Sequence, residues 1–201
     1  MRWPVRTALV GLNLFILTMV PAHIHADSAL DTIKSRIEQV LAVLRDPALK
    51  SDAAKEAKIK RLRQIFDGTF DYVELSRNTL SRHWDKFKPE QQKEFTQLYK
   101  TLLENFYMGT ILSYKDQTVV FGKERTLGEN RVEVDTKLMS GSTETPINFR
   151  MVSKGGEWRV YDFVVENISV VSNYRSQFGR ILTKESPESM LKNLRKQVAQ
   201  K

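Results

Sequence analysis

The sequence predicts an α+β fold in which long helices are followed by an antiparallel sheet of about four strands and then by helices again. Three observations carry this. Up to Tyr107 the apolar residues recur at three- and four-residue spacing, the period of a helix buried along one stripe. From Val119 they alternate at every second residue, as in a strand with one wet face. Beyond Asn167 the helical period returns, and no linker divides the chain. A sheet with one apolar face must be covered, and the long helices are the only elements available to cover it.

Arg2 and Arg6 precede an apolar run from Ala8 to Val20, which ends at Pro21 and is followed by the small residues Ala22 and Ala26. The run spans 13 residues, short of the roughly 20 that a membrane-spanning helix needs. The order charged, apolar, small is that of a secretory signal peptide. Residues 1–26 are therefore expected to be cleaved after Ala26, with Ala22 as the second choice, leaving 27–201 as a single domain. Loss of Arg2 and Arg6 lowers the formal charge from +8 to +6.

Leu30, Ile33, Ile37, Val40, Leu41 and Leu44 mark the first helix, with Asp27 or Ser28 as its cap and Pro47 as its end. A second helix starts near Ser51, carries Ile59, Leu62, Ile65 and Phe66, and is expected to be interrupted at Gly68. A short helix follows over Val73 to Leu80. Pro89 suits the first turn of the next helix, whose stripe is Phe95, Leu98, Tyr99, Leu102, Leu103, Phe106 and Tyr107.

Val119 to Phe121 reads as a short strand. In the next, Val132, Val134, Thr136 and Leu138 alternate with Arg131, Glu133, Asp135 and Lys137, which assigns the charged set to solvent. Ile147, Phe149 and Met151 form a third strand, and Trp158 to Val165 a fourth. Lys154-Gly155-Gly156-Glu157 joins the last two as a hairpin, because glycine takes positive φ without steric cost. Val170, Val171, Tyr174, Phe178, Ile181 and Leu182 then mark a helix, and Ser186-Pro187 opens a final one with Leu191, Leu194 and Val198.

The chemical inventory is thin. There is no cysteine, and only His83 among the three histidines lies outside residues 1–26. That excludes disulfides, thiolate nucleophiles, Cys-ligated zinc and a His pair for a metal. His83 stands beside Trp84 with no nucleophile elbow anywhere, and no phosphate loop or dinucleotide fingerprint is present. Asp162, between Tyr161 and Phe163, is the carboxylate whose surroundings could raise its pKa. With Tyr161 it would form the nucleus of an enzyme; the simpler reading is a strand-end residue bonded to nearby backbone. The basic run from Lys55 to Arg63 reads as a solvated helix face, with docking on an acidic partner or an anionic membrane as the alternative. Export argues against nucleic acid.

From about Phe70 to Leu182 the order and spacing of short motifs carry a resemblance. They are Phe70-Asp71-Tyr72, Leu75-Ser76-Arg77, Leu80, His83-Trp84, Pro89-Glu90-Gln91, Phe95, Leu102-Leu103 and Tyr107, then Trp158-Arg159-Val160-Tyr161-Asp162, Ser169-Val170-Val171 and Asn173-Tyr174-Arg175-Ser176-Gln177-Phe178. Together they resemble the toluene-tolerance or MlaC family of periplasmic phospholipid-binding proteins. Lys88 departs from that pattern, standing where a threonine or serine cap is usual.

The resemblance implies a curved sheet packed by helices, similar to the nuclear-transport-factor-2 (NTF2-like) cone, with an apolar cavity. It implies a periplasmic, non-enzymatic phospholipid shuttle with no cofactor. Its partners would be an outer-membrane lipoprotein–porin complex and an inner-membrane ABC transporter with a lipid-binding ring. No nucleic-acid partner is expected, and the chain is expected to act as a monomer. Candidates to line the cavity are Val132, Val134, Leu138, Ile147, Phe149, Met151 and Val160 on the strands, and Val73, Trp84, Tyr99, Leu102, Leu103, Phe106, Tyr174 and Phe178 on the helices. Each of them would equally suit a filled core. An adaptor protein with a filled core and an exposed apolar patch is the remaining alternative.

Overall fold

A computed structural model describes residues 28–200; the expected signal segment and its cleavage site lie outside them. The side chain of Ser28 accepts a hydrogen bond from the Asp31 N–H at 3.0 Å and so caps helix α1, Ala29–Arg45. Two 3₁₀ turns, Pro47–Leu49 and Asp52–Ala54, lead into α2, Lys55–Thr69. Gly68 does not interrupt this helix. The chain becomes extended only at Phe70, and Asp71 then caps α3, Tyr72–Leu80, by accepting from the Glu74 N–H at 2.8 Å. A 3₁₀ turn over Ser81–Lys86 precedes α4, Pro89–Leu112. Lys88 has no side-chain acceptor to cap α4. Instead Gln91 reaches back to accept from the Lys88 N–H at 3.0 Å, the reciprocal half of a capping box.

Five strands follow: β1 Thr118–Gly128, β2 Arg131–Ser140, β3 Thr143–Lys154, β4 Glu157–Val165 and β5 Ile168–Ser169. They pair antiparallel in sequence order as an open meander. The fifth strand was not expected, because two residues are too few to show a period. β1 also runs well past Phe121. Its outer half, from Gly122 on, is exposed and held by backbone pairing with β2 after a register slip between Phe121 and Glu124, so no apolar alternation betrays it. Helices α5, Val170–Leu182, and α6, Pro187–Ala199, close the chain, capped by Ser169 and Ser186. Among the described residues no helix is long and apolar enough to cross a membrane.

The register defines the two faces of the sheet. Val132 pairs with Met151 and Val134 with Phe149; Phe149 pairs with Phe163 and Met151 with Val160. Paired residues share a face, so these form the inner wall. In β4, Asp162 pairs with Arg150 but Val160 pairs with Met151. Tyr161 is thus the extra residue of a bulge, and the bulge returns Phe163 and Val165 to the inner face.

Candidate functional site

The apolar side chains bury themselves in two separate clusters. At the inner face of the sheet, Val132, Val134, Met151 and Val160 pack with Ala29 and Ile33 of α1. A larger helical cluster unites α3, the 3₁₀ turn, α4, α5 and α6. Phe70 packs against both. It reaches this position because α2 ends there and the chain crosses to β4, where the Asp71 N–H donates to the Val160 carbonyl at 2.9 Å. Between the clusters the inner wall continues through Leu138, Ile147, Phe149 and Phe163, all of them only partly buried. Tyr107 of α4 faces this stretch, with its ring 5.1 Å from that of Phe163, and Phe70 lies 6.0 Å from Phe163 on another side.

The strand candidates therefore divide. Val132, Val134, Met151 and Val160 are close-packed under α1, Phe149 packs against their edge while only partly buried, and Leu138 and Ile147 stand on the half-covered stretch. The helical candidates divide as well. Trp84, Tyr99, Leu102, Leu103 and Phe178 belong to the helical cluster, with Tyr174 partly buried against it. Their rings interlock: Tyr99 lies 5.2 Å from Tyr174 and 5.6 Å from Phe178. Val73 and Phe106 do not join either cluster and are 57% and 58% exposed.

Phe70, Tyr107 and Phe163 border this stretch but are not among the residues the sequence offers for a cavity wall. Phe70 stands out in the sequence only within a motif, and Tyr107 within a motif and the apolar stripe of α4. Phe163 was hidden by the bulge, since strict alternation from Val160 would put Asp162 and Val164 on its face.

The outer face of the sheet is charged but not simply wet. Glu133, assigned to solvent by the alternation, is buried between Arg125 at 2.6 Å and Arg150 at 2.7 Å. Asp162 is 2% exposed. Its Oδ2 accepts from Arg150 and from the Ser169 hydroxyl, and its Oδ1 accepts from the Val171 N–H at 3.0 Å. The carboxylate thus holds the first turn of α5. Tyr161 lies under the Arg131 guanidinium, 4.6 Å from its ring centre. Among the described residues there is no group of three or more His, Asp or Glu placed to hold a metal.

Arg131 also binds Glu74 at 2.6 Å, and Lys154 bridges Glu74 and Asp71 at 3.1 and 2.7 Å. Burial works to raise the Glu74 pKa, but the hydrogen bonds from Lys154 and Arg131 outweigh it and hold the carboxyl below its ordinary range. A carboxyl depressed in the folded state stabilises the fold above its unfolded pKa and loses that contribution as pH falls through the folded value. Melting temperature should therefore drop on acidification below about pH 4. Glu74→Gln should melt lower than the parent at pH 7 and show a shallower acid decline, and thermal melts between those conditions check it. An unchanged acid limb would remove Glu74 from the account.

The sequence model of the MlaC protein family matches residues 34–196. The chain is 24% identical over 160 residues to the intermembrane phospholipid transport system binding protein MlaC of Haemophilus influenzae, across 73% of this chain and 75% of that protein. It is 22% identical over 171 residues to toluene tolerance protein ttg2D of Pseudomonas putida, across 84% and 80% of the two chains. Among solved structures, the phospholipid-binding protein of Ralstonia solanacearum, determined in complex with a phospholipid, shares the fold. Its TM-score is 0.76 at 23% identity, over 87% of this chain and 98% of that one. With the family match covering most of its length and the fold agreeing, the chain belongs to the MlaC family.

Proposed function

We propose that the protein is a periplasmic phospholipid carrier that holds lipid tails against the half-covered inner wall of its sheet. The observation that carries this is the divided core. Leu138 and Ile147 join neither buried cluster, and Phe149 and Phe163, each packed against one of them, stay only partly buried, so this apolar stretch of the inner wall is half-covered. The names of the relatives point the same way, toward phospholipid binding and intermembrane transport. In this reading the half-covered strand residues, with Tyr107 and Phe70, contact the tails, while Val132, Val134, Met151, Val160 and the interlocked helical residues fill the core.

The physical task fits. Two acyl chains with about 30 methylenes would cost on the order of 20 kcal/mol to expose to water, at about 0.8 kcal/mol for each CH₂. A lipid therefore crosses an aqueous gap only inside an apolar sleeve, and the sleeve needs no catalytic group. Cleavage of residues 1–26 would deliver the protein to that gap. Its docking partners in the proposal are the outer-membrane lipoprotein–porin complex and the inner-membrane ABC transporter with its lipid-binding ring.

Organic extraction of the purified protein followed by mass spectrometry tests the reading. Near-stoichiometric phospholipid is expected. Delipidated protein should melt lower, because a ligand bound only to the native state stabilises it by mass action. Absence of extractable lipid, or a melting temperature unmoved by its removal, would overturn the carrier.

A further inference from the structure

Between the end of α3 and α5 lies a cavity of about 450 Å³, bordered by Leu80, Arg82, His83, Arg175, Gly179 and Arg180 among others. No residue of the sheet lines it, and it holds no carboxylate. Among the described residues, none of Arg82, Arg175 and Arg180 has an ion-pair partner. Arg175 is fixed in place by donating from Nε to the Asn78 carbonyl at 2.9 Å. Three arginines without a counter-charge border one concavity, which gives it a positive potential suited to an anion.

His83 borders the same cavity. His83 is 6% exposed. Its Nε2 accepts from Arg82 Nε at 3.5 Å, so the neutral ring carries its proton on Nδ1. That atom is buried without a hydrogen-bond partner. Because that atom has no open surface, it does not face the cavity, and His83 contributes packing to the wall rather than a donor. Space for a ligand is real on the α5 side, where a Cβ added at Gly179 would meet nothing within 4 Å.

We propose that this cavity is a binding site for a phosphate ester, held by Arg82, Arg175 and Arg180. Guanidinium forks match phosphate oxygens two at a time. A phosphate monoester carries about −1.5 to −2 charges at neutral pH and a lipid phosphodiester about −1, and both offer tetrahedral oxygens to more than one guanidinium. The volume also exceeds that of a bare ion, and Leu80 offers an apolar wall for the group the phosphate carries. The phosphate is that of a free ester or of a lipid headgroup at a membrane surface, and the site is separate from the tail-binding wall.

The test uses residues 27–201 and follows backbone amides by NMR. Inorganic phosphate and glycerol phosphate should shift the amides of 80–83 and 175–183 saturably, and acetate at equal ionic strength should not. Two variants probe the site. Arg82→Gln with Arg180→Gln removes two exposed, unpaired cations, and Gly179→Glu puts a carboxylate into the open space. Each should weaken phosphate roughly tenfold or more with a melting temperature no lower than the parent's, the glutamate being the better helix former at position 179. Vesicles of phosphatidylglycerol, with phosphatidylcholine as the comparison, separate the sources. Vesicle binding that both variants abolish assigns a headgroup, and phosphate binding without vesicle binding assigns a free ester. No saturable shift, an equal response to acetate, or unchanged affinity in both variants would overturn the proposal. Extracted lipid is measured on the same preparations and should stay constant, so failure here is distinct from failure of the carrier reading.

Discussion

Asp162→Ala should destabilise the protein by about 3 kcal/mol, far more than a surface ion pair, which is worth about 0–1 kcal/mol. The reason lies in what the carboxylate holds. It is 2% exposed and accepts from Arg150, Ser169 and the Val171 N–H. Alanine leaves the buried Val171 N–H without an acceptor, and the first turn of α5 loses the negative charge that its dipole favours. Arg150 keeps Glu133 as a partner and its side chain is one-third exposed, so its loss is softened by water and the total stays near the lower end for a broken buried pair. α5 carries Tyr174 and Phe178 into the helical cluster, so loosening its start loosens that cluster. Asp162→Asn keeps an acceptor for Val171 and should cost about half as much. Urea unfolding measures both. A catalytic role alone would leave stability untouched, so a cost below about 1 kcal/mol would return Asp162 to the list of reactive candidates.

The period change at Val119 and the Gly155-Gly156 hairpin were legible because side-chain alternation and positive φ both leave marks in the sequence; the two glycines have φ of 61° and 86°. What was not legible depends on partners far along the chain. Phe106 lies seven residues after Tyr99, hence on the same face of α4, and the stripe therefore promised burial. But α6 ends beside this point: Asn105 already reaches the carbonyl of Val198 in its last turn. Phe106 lies beyond the cover. Val73 fails for another reason. The inward place at the start of α3 goes to Glu74, drawn in by Arg131 and Lys154, and Val73 turns outward. Glu133 repeats the lesson on the sheet, where Arg125 and Arg150 close over a residue that alternation alone assigns to water. The bulge at Tyr161 is a one-residue insertion that reverses the facing of everything after it. No pattern within β4 announces it.

A matched pair of substitutions should separate packed core from lipid-contacting wall on one sheet face. Val134 is 0% exposed and enclosed by Ala29, Ile33, Met151 and Val160. Val134→Trp has no space to enter and should cost roughly 1–3 kcal/mol or more by displacing those neighbours, with lipid lost only as the protein unfolds. Ile147 shares the inner face, two residues along β3 from Phe149, but is only partly buried. There a tryptophan ring would project into the space proposed for the tails. Ile147→Trp should therefore lower the lipid-to-protein ratio severalfold while the delipidated variant melts close to delipidated parent. Lys137→Gln, at an exposed position paired with Glu144, is the control and should alter neither. Melting curves with and without lipid, set beside extracted lipid, give the answer. If Ile147→Trp retains full lipid and Val134→Trp loses it without losing stability, the tails lie under α1 and the assignment of wall and core must be exchanged.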